Sequence, residues 1–309
     1  MNSQSNFIKF YNKIKFSQQD NNQYLNEKRD QLVNEIQRYL KEEGKPSIQV
    51  YNQGSYALDT GIKPLGKRDF DIDIALVFDL QTRDYNDPTD VKQWVVNAIR
   101  HYSHGQPEMR TPCVRVEFKK NGRVHYHVDL AIYGYCNNVK HIAKGRRGSQ
   151  AQNKKWEPSE PVKLKQKLNK QFSNGAQRAQ YKRIICYLKR WKDVHFKART
   201  NEAPTGIALT VMAYQWFAPQ VRKQKADDLK ALYLFLEKCK QHQYGLGVKL
   251  PVRPQNALFT AINQSPKHRE KYLKKMKQLC RIVKQAYQCS NVSEAAQLLR
   301  GQFGTDFPI

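Results

Sequence analysis

The sequence predicts an α+β fold, with a mixed β-sheet in the first half of the chain and a helical second half. Apolar and polar residues alternate strictly from Phe70 to Phe78, which is the pattern of a strand with one buried face. Two further strand-like stretches follow, CVRVEFKK and RVHYHVDLAIYGY. From about Ser159 onward the strand signals fade and helical periodicity takes over.

Other elements of the first half surround these strands. An amphipathic helix is predicted over residues 20–43, and the extended segment SIQVYNQ after it leads into Gly54-Ser55. A second helix is predicted over residues 87–99. The pair Asn121-Gly122 is typical of a hairpin turn and would join the two later strands.

The second half is predicted to consist of helices separated by joints that contain proline or glycine. The polar stretch 145–155 predicts a loop before it. We therefore expect two domains, a mixed α and β domain over 1–160 and a helical C-terminal domain over 161–309. The predicted helices lie near 160–173, 176–197, 205–222, 226–242, 267–287 and 292–301.

Composition narrows the class of protein. In the 309 residues, 39% are hydrophobic and 11% aromatic, enough to form packed cores and to exclude a disordered chain. No run approaches the roughly 20 apolar residues that a membrane-spanning helix needs, and the N-terminus lacks a signal-peptide pattern. We expect a cytoplasmic protein without a membrane partner. The six cysteines form no CxxC pair and are predicted to fill the core.

Charge indicates a polyanionic partner. The chain carries 54 Lys and Arg against 27 Asp and Glu, a formal net charge of +27, and like charges oppose compaction. Residues 140–199 hold 18 Lys and Arg against three acids, and a second cluster lies on the helix predicted over 267–287. Clustered Lys and Arg are the electrostatic footprint of nucleic-acid binding, although a solvated basic surface is the alternative.

Two acids on the alternating strand need explanation. Asp71 and Asp73 point to the same side, roughly 6.5–7 Å apart at Cα, where like charges repel. The pair either lies solvated at a sheet edge or is neutralised by a cation. Upstream, Gly54 and Ser55 form a turn suited to phosphate; downstream, Asp129 lies on a second strand. Three converging carboxylates can hold two Mg²⁺ ions about 3.5–4 Å apart, as phosphoryl and nucleotidyl transfer require.

A zinc site is the alternative at the second strand. His125, His127 and Asp129 alternate onto one strand face as H-x-H-x-D. Histidines on such a strand more commonly pack or donate hydrogen bonds.

An ordered set of motifs resembles a known family. Gln53-Gly-Ser-Tyr56, then the D-I-D motif at 71–73 and later Asp129, resemble the signature of polymerase-β-type nucleotidyltransferases. More narrowly, the chain resembles the CD-NTases, bacterial cGAS-like and DncV-like synthases of cyclic oligonucleotide signals in anti-phage defence. The motifs that carry this likeness are GSYALDTGIKPLGKRDFDIDIALVF, WEPSEP (156–161), YLKRWKD (187–193), PTG (204–206), LPVRP (250–254) and FGTDFP (303–308).

The resemblance implies roles for single residues. Asp71 and Asp73 would hold two Mg²⁺ ions, for which Mn²⁺ can substitute, together with the donor triphosphate; Asp129 would complete the metal site and help to activate the acceptor hydroxyl. Gly54 and Ser55 would grip donor phosphates. Lys189 in YLKRW matches a helical lysine that reaches the triphosphate, with Arg190 or Lys192 as alternatives. Thr205, where the family commonly has Ser, would contact phosphate or simply cap a helix.

The resemblance also implies the fold and the reaction. It implies a polymerase-β-like catalytic core over 1–160, backed by a helical, oligoadenylate-synthase-like domain over 161–309 that closes a nucleotide cleft. The enzyme would take ATP, GTP or other NTPs and join a ribose hydroxyl to an α-phosphate without a template. It would then cyclise the product, which a downstream effector would bind. A linear oligonucleotide or RNA-tailing transferase is one alternative, and a non-catalytic RNA-binding module is another. Structured or double-stranded RNA is expected to activate the enzyme through basic residues on two predicted helices: Lys163, Lys165, Lys167, Lys271, Lys274 and Lys275.

Overall fold

The computed structural model describes residues 3–16, 18–66, 70–101, 107–120, 123–197 and 200–309. Within these ranges, side chains are described except at 18–26, 70–71, 119–120 and 123–125. The predicted turn at Asn121-Gly122 lies outside the described residues.

A mixed sheet of seven strands forms the first half of the chain. Its strands follow the order β1-β2-β5-β4-β3; β6 continues the sheet from β5, and β7 pairs with β6. β2 and β5 are parallel, whereas every other pair is antiparallel. The strands are β1 (Ile48–Gln53), β2 (Phe70–Gln81), β3 (Glu108–Met109), β4 (Val114–Lys120), β5 (Arg123–Cys136), β6 (Val139–Lys144) and β7 (Lys155–Pro158).

Helices cover one face of the sheet and make up most of the second half, where β8 (Val221–Arg222) and β9 (Lys225–Ala226) form a short hairpin. The helices are α1 (Gln4–Ile14), α2 (Gln18–Glu42), α3 (Gly54–Ala57), α4 (Pro88–Ala98), α5 (Pro161–Asn169), α6 (Gly175–His195), α7 (Gly206–Trp216), α8 (Asp228–Gln241), α9 (Thr260–Asn263), α10 (Pro266–Gln288) and α11 (Val292–Phe303). The structure is therefore α+β, as predicted.

The alternation of β2 separates the two faces of the sheet. Ile74 and Leu76 are fully buried in a core that also holds Ile36 of α2 and Val95 of α4. The opposite face of β2 carries Asp73 near one end of the strand, and beyond it the face becomes apolar. Burial of the apolar face fixes the register, because a slip of one residue would turn the acids into the core.

The helical half is built around α6. Every side chain of α6 from Gln180 to Trp191 is buried except Lys182. Such a helix is surrounded by partners rather than lying on the surface. α1 is one of them although it precedes the sheet in sequence: Phe10 stacks on Tyr187 with ring centroids 5.3 Å apart. The division of the chain at residue 160 stays a prediction.

Some elements differ from the sequence-based expectation. The helix predicted over 205–222 ends at Trp216, three residues before Pro219, and the chain then forms the β8-β9 hairpin. α1, β6 and β7 were not predicted.

All six cysteines are free, and four are buried as predicted, whereas Cys136 and Cys289 are partly exposed. Among the described residues, the helices are too short or too polar to span a bilayer.

Candidate active site

The turn after β1 places the backbone of Gly54 against the carboxylate of Asp73. β1 ends at Gln53, and Gly54 adopts φ +65°, a conformation that favours glycine. A Cβ built at Gly54 would lie 2.0 Å from Oδ2 of Asp73. The carboxylate of Asp73 therefore occupies the space that any other residue at position 54 would fill.

Asp73 and Asp129 lie side by side. They are register partners on the parallel strands β2 and β5, and both line the same cavity. The structure thus brings together two of the three acids predicted from the sequence. The backbone of Asp71 pairs with that of His127 two residues earlier on β2, but the Asp71 side chain lies outside the described residues.

Arg115 holds Asp129 in place. Arg115 is the register partner of Asp129 on the antiparallel strand β4, so the guanidinium lies beside the carboxylate. Nε donates to Oδ1 at 2.7 Å and Nη2 donates to Oδ2 at 2.6 Å. Only 11% of the Arg115 side chain and 17% of the Asp129 side chain are exposed. This bidentate geometry fixes the carboxylate more firmly than a single contact would.

The donor set fits a hard divalent cation. Carboxylate oxygens are the ligands that Mg²⁺ and Mn²⁺ prefer, and Asp73 and Asp129 offer them from adjacent strands at one cavity wall. Within the described part of the chain, no cluster of three or more His, Cys, Asp or Glu side chains is arranged to hold a metal. His127 is buried and lines the cavity, whereas the side chain of His125 lies outside the described residues.

A cavity of about 940 Å³ opens between the sheet and the helices. The sheet contributes the Gly54 turn and the acids, and the helical half contributes the opposite wall. This size is near the upper end of the range typical of ligand pockets. Residues of the helical wall include Leu164, Lys165, Lys192, Asp193, Phe196, Lys197, Thr205 and Ile207.

A segment over residues 58–64, which we call the strap, closes one side of the cavity. Leu58, Thr60 and Ile62 of the strap line the cavity. Basic side chains of α6 tie it down at three points. Lys182 pairs with Asp59 at 2.7 Å, Lys189 donates to Thr60, and Arg190 donates to the Lys63 carbonyl at 2.8 Å.

Lys189 lies at the cavity wall, where it bonds to the strap. Its Nζ donates to the Thr60 carbonyl at 2.8 Å and to Thr60 Oγ1 at 3.1 Å, and its side chain is buried. Burial lowers the pKa of Lys189 to about 8. Lys189 therefore lines the cavity and links α6 to the strap.

Thr205 caps a helix at the cavity wall. Its Oγ1 accepts a hydrogen bond from the Ala208 N–H at 3.2 Å, which is an N-cap interaction at the start of α7. Thr205 also lines the cavity. The capping role that the sequence left as an alternative is present in the structure.

The three α5 lysines have different surroundings. Lys163 pairs with Glu160 at 3.0 Å, and Lys167 donates to the Pro251 carbonyl at 3.0 Å. Lys165 lines the cavity. Lys163 and Lys167 are nevertheless exposed, whereas a change at Lys165 would alter the cavity itself.

α10 carries an exposed row of cations. Lys271 pairs with Glu202, and Lys275 lies over the Phe196 ring, 5.5 Å from its centroid. Lys274 is exposed, and other exposed cations follow it at spacings of three or four residues along one helix face. We call this row the α10 basic stripe: Lys267, Lys274, Lys277, Arg281 and Lys284.

Arg115 and the strap were not predicted from the sequence. Arg115 lies in CVRVEFKK, where Val114 and Val116 alternate with it and face the core. That alternation places Arg115 on the same sheet face as Asp129, and so offered a signal. The strap had none, because its contacts to α6 span more than 120 positions of sequence.

Comparison with known proteins fits this architecture. A family model described as cyclic GMP-AMP synthase DncV-like, nucleotidyltransferase domain, matches residues 48–133, which hold the Gly54 turn, Asp73 and Asp129. A second model, cyclic GMP-AMP synthase, C-terminal domain, matches residues 179–308. The two match in the expected order and together span more than half of the chain. The chain belongs to the CD-NTase family.

Two curated CD-NTase relatives align with most of the chain. A cyclic GMP-AMP synthase of Escherichia albertii is 26% identical over 261 residues, which cover 82% of this chain and 55% of that protein. A c-di-GMP synthase of Roseivirga ehrenbergii is 24% identical over 292 residues, covering 85% of this chain and 74% of that protein. The chain thus spans about half the length of the first relative and about three quarters of the second.

Solved structures share the CD-NTase fold. Escherichia coli DncV in its 3'-deoxy GTP bound form superposes with a TM-score of 0.71 at 17% identity, covering 96% of this chain and 93% of that one. Vibrio cholerae DncV in complex with the linear intermediate 5' pppA(3',5')pG gives a TM-score of 0.65 at 19% identity, covering 85% of this chain and 70% of that one. The α+β nucleotidyltransferase fold is therefore shared.

Proposed function

We propose that this CD-NTase is a nucleotidyltransferase that makes a cyclic dinucleotide or oligonucleotide from NTPs. One observation carries the proposal: Asp73 and Asp129 are register partners on adjacent parallel strands, at the wall of a cavity formed by both halves of the chain. The relatives named as cyclic GMP-AMP synthase and c-di-GMP synthase support a cyclic dinucleotide product.

The acids would act at the reacting phosphate. Asp71, Asp73 and Asp129 would hold two Mg²⁺ ions, which when bound stabilise charge on the attacking and leaving oxygens. Asp129 would accept the proton that leaves the acceptor 2′ or 3′ hydroxyl. That oxygen bonds to the donor α-phosphate as the bond to the β-phosphate oxygen breaks, and pyrophosphate leaves. A second transfer within the linear product would close the ring.

Other residues of the cavity would position the donor. Gly54 and Ser55 would approach the donor phosphates. At position 54 only a residue without a Cβ leaves room for the carboxylate of Asp73. Lys189 would contribute a positive charge at the wall that also carries Lys165, Lys192 and Lys197. Excluding water from such a wall strengthens its attraction for a triphosphate. Thr205, whose hydroxyl caps α7, lies at the same wall and would contact phosphate as well.

Product analysis tests the proposal. The purified chain would be incubated with the four NTPs and Mg²⁺ or Mn²⁺, treated with phosphatase, and analysed by chromatography and mass spectrometry. A phosphatase-resistant cyclic product is expected from the native protein and none from Asp73→Asn. Products with free 3′ ends would instead indicate a linear transferase. No pyrophosphate release with any NTP would favour a binding module without catalysis.

We further propose that RNA activates the enzyme through the α10 basic stripe. The stripe runs 17 residues from Lys267 to Lys284, or about 25 Å along the helix, and faces solvent opposite the buried Tyr272 and Met276. This length can follow the backbone of a duplex, and A-form RNA is recognised by shape without reading its sequence. RNA-stimulated synthesis of the product would serve anti-phage signalling to a downstream effector in the cytoplasm.

Charge reversal on the stripe tests activation. Lys274, Lys277 and Arg281, all changed to Glu, are expected to lose stimulation by double-stranded RNA and to keep basal activity with Mn²⁺. Wild-type affinity for RNA should fall with salt, with a log–log slope of about −0.9 per phosphate contact for a charge density like that of duplex DNA. Reversal of the exposed Lys223, Lys238 and Lys240 is the matched control. Full activity of the nuclease-treated protein without any response to RNA would contradict the proposal.

A further inference from the structure

Arg115 competes with any cation for the Asp129 carboxylate. Both oxygens of Asp129 accept a hydrogen bond from the same guanidinium, at 2.7 and 2.6 Å, and both side chains are largely buried. Asp73, Asp129 and Arg115 form a row across three neighbouring strands, since each is the register partner of the next. Asp129 and Asp73 line the cavity, whereas Arg115 approaches from the strand on the far side.

This arrangement has two opposite effects on a metal site. The guanidinium fixes the orientation of the Asp129 carboxylate, which favours the geometry that the reaction needs. It also offsets the negative charge of Asp129 and occupies a lone pair on each oxygen, so that a free divalent cation is attracted less strongly. Partial burial of the pair strengthens both effects, because water screens the charges poorly there.

We propose that Arg115 is a positioning residue that weakens binding of free divalent cations to the nucleotide-free protein and so makes their entry depend on the triphosphate. A triphosphate brings its own negative charge to the cavity and would compensate for what Arg115 removes from Asp129. The inference rests on the proposed function only in that Asp73 and Asp129 would hold a divalent cation.

Mn²⁺ binding to the nucleotide-free protein tests this role. Affinity would be measured by titration with electron paramagnetic resonance detection of free Mn²⁺, without any NTP. Arg115→Gln is expected to bind Mn²⁺ about tenfold more tightly than wild type, since Asp129 loses its countercharge. The turnover number is expected to fall, because the carboxylate is no longer held. Arg115→Lys keeps the positive charge but lacks the bidentate geometry of the guanidinium. It should have an intermediate Mn²⁺ affinity.

Two controls make the measurement specific. Arg110→Gln removes another arginine-carboxylate pair, Arg110 with exposed Glu108 on the adjacent strand β3, and should leave Mn²⁺ affinity unchanged. Adding Asp73→Asn to Arg115→Gln should abolish the gain, because the gain requires both carboxylates. A gain that survives in this double variant would place the Mn²⁺ elsewhere and overturn the inference.

The outcomes remain decisive if a variant is unstable. Unchanged or weaker Mn²⁺ binding in Arg115→Gln would overturn the inference and leave Arg115 with a purely structural role. If Arg115→Gln does not fold, Arg115→Lys decides in its place, and a Mn²⁺ affinity equal to that of wild type would overturn it. The measurement uses no NTP, so a tenfold gain in a protein whose wild type forms no cyclic product would support Arg115 and contradict the proposed function.

Discussion

The α-carbon of Gly54 lies against the carboxylate of Asp73, so closely that a Cβ at position 54 would sit 2.0 Å from Oδ2. Gly54 follows β1 directly and Asp73 lies on β2, so their contact couples the turn after β1 to the acid on β2. Anything that moves one must move the other.

Gly54→Ala is therefore expected to reduce turnover by about 100-fold or more, because it displaces an acid that must be held within a fraction of an ångström. Gly66→Ala is the matched control, since Gly66 has the same φ of +65° but no atom within 4 Å of its built Cβ. Both variants carry the backbone penalty of about 1–2 kcal/mol for a left-handed alanine. Steady-state kinetics and thermal unfolding would be measured on both; equal activity losses would refute the steric explanation.

Asp71→Ala and Asp73→Ala, made singly, are expected to abolish nucleotide incorporation without unfolding the protein. Each removes a carboxylate from the proposed two-metal site and with it the stabilisation of charge on the leaving group. Pyrophosphate release would be measured beside melting temperature. Turnover that persists in both variants would show that the acids have another role.

Asp129→Asn is expected to stop bond formation and to keep triphosphate binding, because the amide preserves shape but carries no charge. It also removes the negative charge at position 129 that pairs with the Arg115 guanidinium. The free energy of unfolding should therefore fall by about 2 kcal/mol, whereas Asp73→Asn leaves the Arg115 pair intact. Denaturant unfolding and nucleotide binding would be compared in the two variants. Equal loss of ATP affinity in both would mean that their roles are wrongly assigned.

Lys189→Met is expected to raise KM for NTPs about tenfold, because it removes a cation from the cavity wall and frees the strap at Thr60. Lys182→Met is the control, since it also removes a tie to the strap, the pair with exposed Asp59. An exposed ion pair contributes less than about 1 kcal/mol, so this variant should change KM little. Similar KM values in the two variants would show that Lys189 only ties α6 to the strap.

The burial of Lys92 predicts that the stability of the protein depends on pH. It is fully buried on α4, where its Nζ donates to the carbonyls of Arg110, Thr111 and Gly145. Burial lowers the pKa of Lys92 from 10.5 to about 8. The unfolded chain therefore binds more protons at this residue between pH 8 and 10.5, and its contribution to stability rises with pH across that window.

Comparison with Lys92→Met isolates this effect. At pH 7 the variant loses the hydrogen-bond donor of three carbonyls but also the cost of a buried charge. The difference in unfolding free energy, wild type minus variant, should grow in favour of wild type as pH rises from 7 to 10, by up to about 3 kcal/mol. Chemical denaturation at each pH would measure it. A difference that is constant with pH would contradict the lowered pKa.

Local patterns predicted the strands and helices near the site. Alternation at Phe70–Phe78 gave the strand, its buried face and the side on which Asp73 lies, because a strand with one face in the core repeats every two residues. Pro161 and Pro266 each stand in the first turn of a helix, and Asn291 caps another, so these helix starts were readable from sequence. Net charge likewise pointed to an anionic partner without reference to the fold.

Only the tertiary structure decided which residues meet. The sequence alone did not determine that Asp73 is the register partner of Asp129, that Arg115 grips Asp129, or that Lys189 bonds to Thr60. These contacts join positions 14 to 129 residues apart, and they form when strands pair and when α6 is enclosed. Periodicity records which face of an element is buried, whereas the partner across that face is set by long-range packing, which no local window of sequence contains.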